Sequence, residues 1–388
     1  MSITDGAEGA SDGPVGRQPG GVSNTDDARR AALLAWFQDG HRDLPWRQSR
    51  DPWAIWVSEI MLQQTRAASV VPYYEKFLAR FPTPAALAAA PMDELLGFWA
   101  GLGYYARARN LHAGACQVVE RHGGVVPGDP AAFRALSGVG PYTAGAVLSI
   151  AFGLPEPVLD GNVIRVLTRW DRLGDDPRSA ALNARLWDRA RTLAAGPEPG
   201  TVNQALMELG ATICTPRSPT CLLCPVSAGC GARAAGDAER YPHKAPAPTR
   251  PHEHRIAGLV WTPRGVWLSR RPDAGLLAGL WELPSVTVDA DGGEADGQTA
   301  LARLGLIAFG APRAVDHVFT HRHWHLKVYA AEGIPTGGDY TDHRCVPTTD
   351  LAALGLSGPG LKALLAWDVT GAPRRRGAGR AAAVARAH

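Results

Sequence analysis

The sequence predicts a multi-domain protein: an all-α domain that ends on a four-cysteine centre, followed by a smaller α+β domain. Three observations predict it. Apolar residues recur at helical spacing from residue 28 to about 235, broken by short turns bearing Gly or Pro. Four of the six cysteines, Cys214, Cys221, Cys224 and Cys230, fall within seventeen residues as C-x6-C-x2-C-x5-C. Beyond a linker rich in Pro, His, Lys and Arg, the pattern changes to short alternating or continuous apolar runs.

Taken in order, residues 1–27 are rich in Gly, Ser and Asp and lack an apolar run, so a disordered segment is expected rather than a signal peptide. The helical domain covers 28–235, with apolar stripes at 31–37, 54–65, 70–81, 92–99, 106–121 and 142–152. Residues 236–255 read as the linker. The second domain covers 256–369, with strands expected at 256–262, 265–271, 281–286, 317–320 and 324–330 and helices at 299–304 and 351–367. A basic disordered tail, 370–388, holds five arginines and no acid from Arg374 onward; it is either simply solvated or in non-specific phosphate contact. The net charge of +3 is too small to argue for nucleic acid alone, and no stretch approaches a membrane span. The cysteine usage points to a reduced, cytoplasmic compartment.

The cysteine spacing is too tight for a disulfide framework and reads as thiolates converging on one metal centre. Zinc takes four thiolates, usually as two CxxC pairs; a [4Fe–4S] cube takes four as well. One CxxC with longer arms suits the bulky cube better. Cys116 and Cys345 read as reduced thiols with packing roles. Residues 136–145, LSGVGPYTAG, form a Gly-rich turn between helical stretches. There Gly138 and Gly140 permit positive φ, Val139 plugs the turn, and backbone N–H groups start the next helix where a phosphate can bind. Alone, this is equally an ordinary interhelix turn. Asp160, in VLDGNV, is an acid in an apolar run that can cap the helix beginning near Val163. Glu59 lies in the apolar run WVSEIML, where burial should raise its pKa.

Hairpin, aspartate and cysteine cluster in this order resemble the endonuclease III superfamily of DNA glycosylases. The runs LPWR (44–47), WVSEIMLQQT (56–65) and GLGYYARARNL (101–111) resemble, more narrowly, the MutY family of adenine DNA glycosylases. The resemblance extends over residues 28–368. It implies a helix-hairpin-helix glycosylase domain with a [4Fe–4S] cluster, followed by a Nudix-like domain. It also implies a monomer that removes adenine from 8-oxoguanine:A or G:A mispairs in double-stranded DNA, associated with the nucleoid. Glu59 would give a proton to N7 of adenine and later help water attack. Asp160 would stay ionised and stabilise the sugar cation; Tyr142 and Asn162 would pin these acids. Leu44, Trp46, Arg47 and Gln204 match positions lining the adenine pocket, and Gln64 and Tyr104 match wedge residues. Taken singly, Trp46 and Tyr104 also fit core aromatics. Arg217, between the first two cysteines, is the candidate for phosphate contact. Bifunctional relatives carry a lysine where this chain has Tyr142, and some adenine glycosylases carry one where it has Ile164. The resemblance therefore implies base removal without strand cleavage.

Residues 257–261, 268–271 and 279–284 resemble a Nudix fold, but the stretch 298–305 that should hold a metal-binding acid cluster has no acid. That excludes Nudix hydrolysis and matches the 8-oxoguanine-recognising domain of the family. Phe319, Thr320 and His321 match its Phe-Ser-His loop, with threonine for serine; a hydroxyl acceptor discriminates 8-oxoguanine by its N7 proton. His317, His321, His323 and His325 read as solvated strand-edge residues rather than a metal site, since no cysteine or acid sits among them. Two rival readings are an oxidised-pyrimidine glycosylase, disfavoured by Tyr142 and the second domain, and a non-enzymatic iron–sulfur module, disfavoured by Glu59 and Asp160.

Overall fold

The computed structural model describes residues 24–243, 249–289, 297–369 and 371–372. Helices α1 (Asn24–Gly40), α2 (Pro52–Leu62), α3 (Ala67–Arg80), α4 (Pro84–Ala88), α5 (Met92–Trp99) and α6 (Ala106–His122) come first. They are followed by α7 (Pro130–Arg134), α8 (Pro141–Phe152), α9 (Gly161–Trp170), α10 (Ala180–Ala194), α11 (Pro199–Thr212) and α12 (Gly231–Ala234). Helix α1 begins inside the segment expected to be disordered. Asp26 in its first turn is buried and receives two 2.6 Å hydrogen bonds from Arg189 of α10, a long-range pairing that composition does not reveal. Residues 1–23 and 373–388 lie outside the described residues, as does the greater part of the expected basic tail.

Two apolar cores build the helical part. One collects α2, α3, α5, α6 and α8 around Trp56, Phe77, Phe81 and Trp99; the other collects α1, α9, α10 and α11 around Leu33, Val166, Leu186 and Leu206. Helix α8 serves both, with Val147 and Leu148 in the first and Ala146 in the second. Helix α2 is the innermost. Asp51 caps it by accepting from the N–H groups of Trp53 and Ala54, Pro52 occupies its first turn, and every residue from Trp53 to Met61 is buried. An acid on this helix has no route to bulk water except through a cavity.

The second part contains β1 (His252–Leu259), β2 (Trp261–Thr262), β3 (Gly265–Arg270), β4 (Trp281–Glu282), β5 (Ser285–Val288), α13 (Gly297–Ala302), β6 (Ile307–Val318), β7 (His323–Glu332), β8 (Asp342–Val346) and α14 (Gly358–Ala366). One sheet runs β5-β1-β7-β6; the other has β3 between β2, β4 and β8. The expected run at 281–286 is two strands in different sheets, because Pro284 has no N–H to donate and the chain changes sheets there. Strand β1 starts within the expected linker, since His252–Arg255 pair in parallel with His323–Leu326. Strand β6 stops at Val318, and residues 319–322 turn, closed by Phe319 N–H donating to Arg322 O at 2.9 Å. The two parts meet where α5 and α6 contact 275–280 and 353–356. Tyr105 donates to Leu356 O, Arg109 donates to Ala278 O, and Leu280 is wholly buried in the first helical core.

Candidate active site

Where the two helical cores separate, a cavity of about 690 Å³ opens, and eight residues singled out in the sequence line it: Leu44, Trp46, Arg47, Glu59, Tyr142, Asp160, Asn162 and Gln204. Glu59 comes from α2 and is 4% exposed. Burial, the largest influence, pushes its carboxyl up to about 7; repulsion from Asp160 adds to this, while the Tyr142 hydrogen bond and Arg47 pull it back. The Tyr142 hydroxyl, in the first turn of α8, donates to Glu59 Oε2 at 2.6 Å and also reaches Met207 Sδ at 3.3 Å.

Asp160 caps α9. Its Oδ1 accepts from Val163 N–H at 2.7 Å and its Oδ2 from Asn162 Nδ2 at 2.9 Å. Close packing puts it there, because Gly145 of α8 has no side chain and so lets the backbone at Pro157 press against that helix. Burial raises the Asp160 carboxyl above its ordinary value, against the opposing pull of Val163 N–H, Asn162 and Arg165, so holding it ionised, as expected, works against its burial. The site thus holds a buried Glu59, pushed up to about 7, beside a half-buried Asp160 that is also raised.

The rim differs from expectation in one respect. The Arg47 guanidinium is turned to Glu208, donating to Oε2 at 2.7 Å and stacking over Phe37. Arg42 bonds the same carboxylate through both oxygens at 2.7 Å. Burial works against ionising Glu208, yet these two arginines together bring it down to about 2. Glu208 is therefore a third acid of the cavity, one the sequence reading passed over. Its signal was available, since Gln204 lies one helical turn earlier on α11. Trp46 is buried edge-on against Tyr74 and still lines the cavity, so it serves as both core and wall.

Gln64 and Tyr104, the expected wedge residues, are both exposed and both adopt left-handed backbone, at φ 57° and 49°. That conformation is costly for non-glycine residues. A residue not singled out, Arg107 on α6, holds both in place. Its Nη1 donates to the carbonyls of Ile60, Met61 and Gln63 at 2.6–2.9 Å, and its Nη2 to those of Leu102 and Gly103 at 3.1–3.2 Å. In the hairpin only Gly138 needs positive φ (76°), and a Cβ there would run into Asn110; Gly140 lies at −84° as the cap of α8, which corrects the expectation for that glycine. Both glycines are exposed.

A second groove of about 320 Å³ lies between the two parts, lined by Tyr104, Phe319, Thr320 and His321. The Tyr104 and Thr320 hydroxyls hydrogen-bond across it. Phe319 packs edge-on against Trp324, leaving Thr320 and His321 exposed. The buried acid of the second part, Glu282, is occupied by Arg271, Tyr340 and Ser357.

Cys214, Cys221, Cys224 and Cys230 fold around the end of the second helical core, and Cys214, Cys224 and Cys230 pack against it. Arg169 of α9 donates to Cys214 Sγ at 3.3 Å and Arg165 to Cys214 O at 2.7 Å. Burial, then the neighbouring thiols, pushes Cys224 up to about 11. A single zinc ion needs its sulfurs roughly 3.8 Å apart, given Zn–S of about 2.3 Å. Among the described residues the four sulfurs are not drawn into so tight a group. Arg217 is exposed in this loop.

Residues 57–192 match the HhH-GPD superfamily of base excision DNA repair proteins, and residues 256–366 match the NUDIX domain. An adenine DNA glycosylase of Schizosaccharomyces pombe is 32% identical over 406 residues, covering 86% of this chain and 88% of that protein. That of Homo sapiens is 41% identical over 315 residues, covering 67% of this chain; the chain spans 58% of the human protein's length. A solved thermostable thymine-DNA glycosylase covers 54% of this chain with 97% of its own, at a TM-score of 0.50 and 32% identity. With a helical half and a Nudix-like half in this order, and a likeness to the S. pombe protein along nearly the whole of both chains, this chain belongs to the adenine DNA glycosylase family.

Proposed function

We propose that the chain flips adenine out of duplex DNA and hydrolyses its N-glycosidic bond where adenine is mispaired with 8-oxoguanine or guanine, acting in base excision repair as a soluble, nucleoid-associated monomer. The observation that carries this is Glu59: a buried carboxyl brought to about 7, bonded by Tyr142 and coupled to Asp160, in one cavity. Hydrolysis of a glycosidic bond to a purine needs a proton on the leaving base and a negative charge beside the sugar. Glu59 supplies the first, at N7. Asp160, fixed by Asn162 and the α9 N-terminus, supplies the second as the oxocarbenium character grows. Glu59, deprotonated by the first step, then takes a proton from the attacking water. Tyr142 orients Glu59, and a phenol forms no Schiff base, so the abasic strand stays intact.

Flipping costs a few kcal/mol (roughly) of lost stacking, which Gln64 and Tyr104 offset by entering the gap. The hairpin at Gly138 and Gly140 presents N–H groups to a phosphate. In the second groove the Thr320 hydroxyl accepts from the N7–H of 8-oxoguanine, with Phe319 and His321 beside it. Cys214, Cys221, Cys224 and Cys230 hold a [4Fe–4S] cluster; when bound it cross-links the loop carrying Arg217, and hydrolysis asks no electron of it. Iron and acid-labile sulfide at about four each per chain is the expected content.

The test is single-turnover incubation with a duplex carrying one 8-oxoguanine:A pair, split three ways: untreated, heated in alkali, and treated with borohydride. Breakage of the adenine strand after alkali alone is expected. Breakage without alkali, or a trapped covalent complex, would reveal a lyase and overturn the monofunctional reading. Tight binding with no breakage in any arm would favour a binding module.

A further inference from the structure

We propose that His252, His323 and His325 form a binding site for a divalent transition metal of the zinc class, which ties the start of the second domain to its β6–β7 hairpin. The register brings these residues together. His252 pairs with His323 and His254 with His325 across the parallel β1–β7 ladder, while Asp316 pairs with His325 across β6–β7. Because alternate residues share a sheet face and paired residues sit side by side, the four imidazoles and the carboxylate stand on one face.

The atoms are placed for coordination. One nitrogen from each of His252, His323 and His325 lies within 4.8 Å of the others. His252 Nδ1 and His325 Nε2 are 2.8 Å apart, and the rings of His323 and His325 are 4.1 Å apart. Asp316 Oδ1 lies 2.6 Å from His325 Nδ1. With that nitrogen donating to the carboxylate, Nε2 carries the lone pair and accepts from His252 Nδ1–H; a metal ion would displace that proton and take both nitrogens, the carboxylate orienting His325 as it does a metal-ligating histidine. His323 Nε2 is buried and has no hydrogen-bond partner, Asp316 Oδ1 being 3.5 Å away. His254 stacks behind His325 at 4.9 Å and supports the ring.

Imidazole nitrogens select zinc, copper or nickel over magnesium or calcium. Three protein nitrogens on an open sheet face leave a fourth position for water, or for Asp316. In sequence, His323 and His325 group with His317 and His321, without His252 and with no acid among them. His317 turns to Phe319 and His321 is exposed in the loop, whereas the neighbouring strand β1 supplies His252, some seventy residues earlier in sequence, and Asp316 supplies the missing acid.

The consequence concerns the loop at 319–322. Arg250 donates to Thr320 O at 3.0 Å, and His323 N–H to Pro251 O at 3.0 Å, so the residues just before His252 already touch the loop's base. A metal ion across His252 and His323 would lock that contact. Its bearing on lesion recognition rests on the proposed function; the binding itself does not.

The test uses the full chain with its cysteine loop loaded, equilibrated with Zn²⁺ and desalted, and measures zinc and iron content and the zinc X-ray absorption spectrum. The expected result is about one zinc per chain with a nitrogen/oxygen shell at about 2.0–2.1 Å and no sulfur shell. His325→Gln and His252→Asn should each lower zinc affinity at least tenfold with iron content unchanged, Asp316→Asn should lower it about 10–100-fold, and His254→Asn should retain zinc. Wild-type protein that keeps no zinc, a sulfur shell at about 2.3 Å marking zinc among the cysteines, or equal zinc in the ligand variants would each overturn the site. None of these readouts depends on base excision.

Discussion

Glu59 and Glu208 have the same local signature, an acid inside an apolar helical run, and opposite fates. Burial acts on both. Glu59 meets one phenol and a neighbouring acid and rises to about 7; Glu208 meets two arginines and falls to about 2. The buried state of Glu59 was legible in WVSEIML, and the N-cap at Asp160 in LDGNV, because both are written within a few residues. The partners of Glu208 come from the turn before α2, far along the chain, so its charge was not. The shift at Glu59 has a thermodynamic sign. Its folded pKa stands above the unfolded value of 4.5, so between those values the native state holds a proton that the unfolded chain has released. Stability from this group is fully present below about pH 4.5 and is lost as pH rises through about 7. Glu59→Gln removes that loss and should be more stable than wild type by about 1–3 kcal/mol at about pH 8, with much less difference at about pH 5. Urea unfolding at both pH values measures it; equal differences would mean that Glu59 is ionised in the native state.

Among the elements, α6 and α9 each serve a second structure besides their own packing. Helix α9 carries Asp160 at its N-terminus, and its Arg165 bonds Asn162 Oδ1, Gly210 O and Cys214 O, so the cysteine loop and the Asp160 cap share one side chain. Helix α6 carries Arg107, buried, with burial lowering its pKa to about 10. Five carbonyls depend on it. Arg107→Met should destabilise by about 3 kcal/mol or more, since those acceptors would be left unpaired. It should also slow excision more than it weakens binding of undamaged DNA, because the Gln64 and Tyr104 turns lose their common anchor. A variant with unchanged unfolding midpoint would show the clamp to be dispensable. Helix positions were readable from apolar period, α5 to the residue. The strands were less so: the 281–286 run looked continuous, yet Pro284 splits it between sheets, and β8 carries no strong apolar alternation to announce it.

Across the whole molecule, the two parts meet so that the Tyr104 turn of one faces the 319–322 turn of the other. The domain order was legible from composition and the linker, but this meeting was not, because the contacts join Tyr104 to Thr320 and Tyr105 to Leu356 across most of the chain. Thr320 is the acceptor proposed for the N7 proton of 8-oxoguanine. Thr320→Val should therefore lose preference for 8-oxoguanine over guanine opposite adenine by about 5–30-fold, the worth of about 1–2 kcal/mol for one hydrogen bond, while Thr320→Ser retains it. Competition binding with the two duplexes decides this, and undiminished preference in the valine variant would remove Thr320 from recognition. Proton delivery from Glu59 to adenine is tested by the release of free adenine from an 8-oxoguanine:A duplex. The measurement is the single-turnover rate across pH for wild type and Glu59→Gln. The wild-type rate is expected to fall tenfold per unit above about pH 7, and the variant to bind the duplex but release essentially no adenine. Release by Glu59→Gln at a wild-type rate would contradict it.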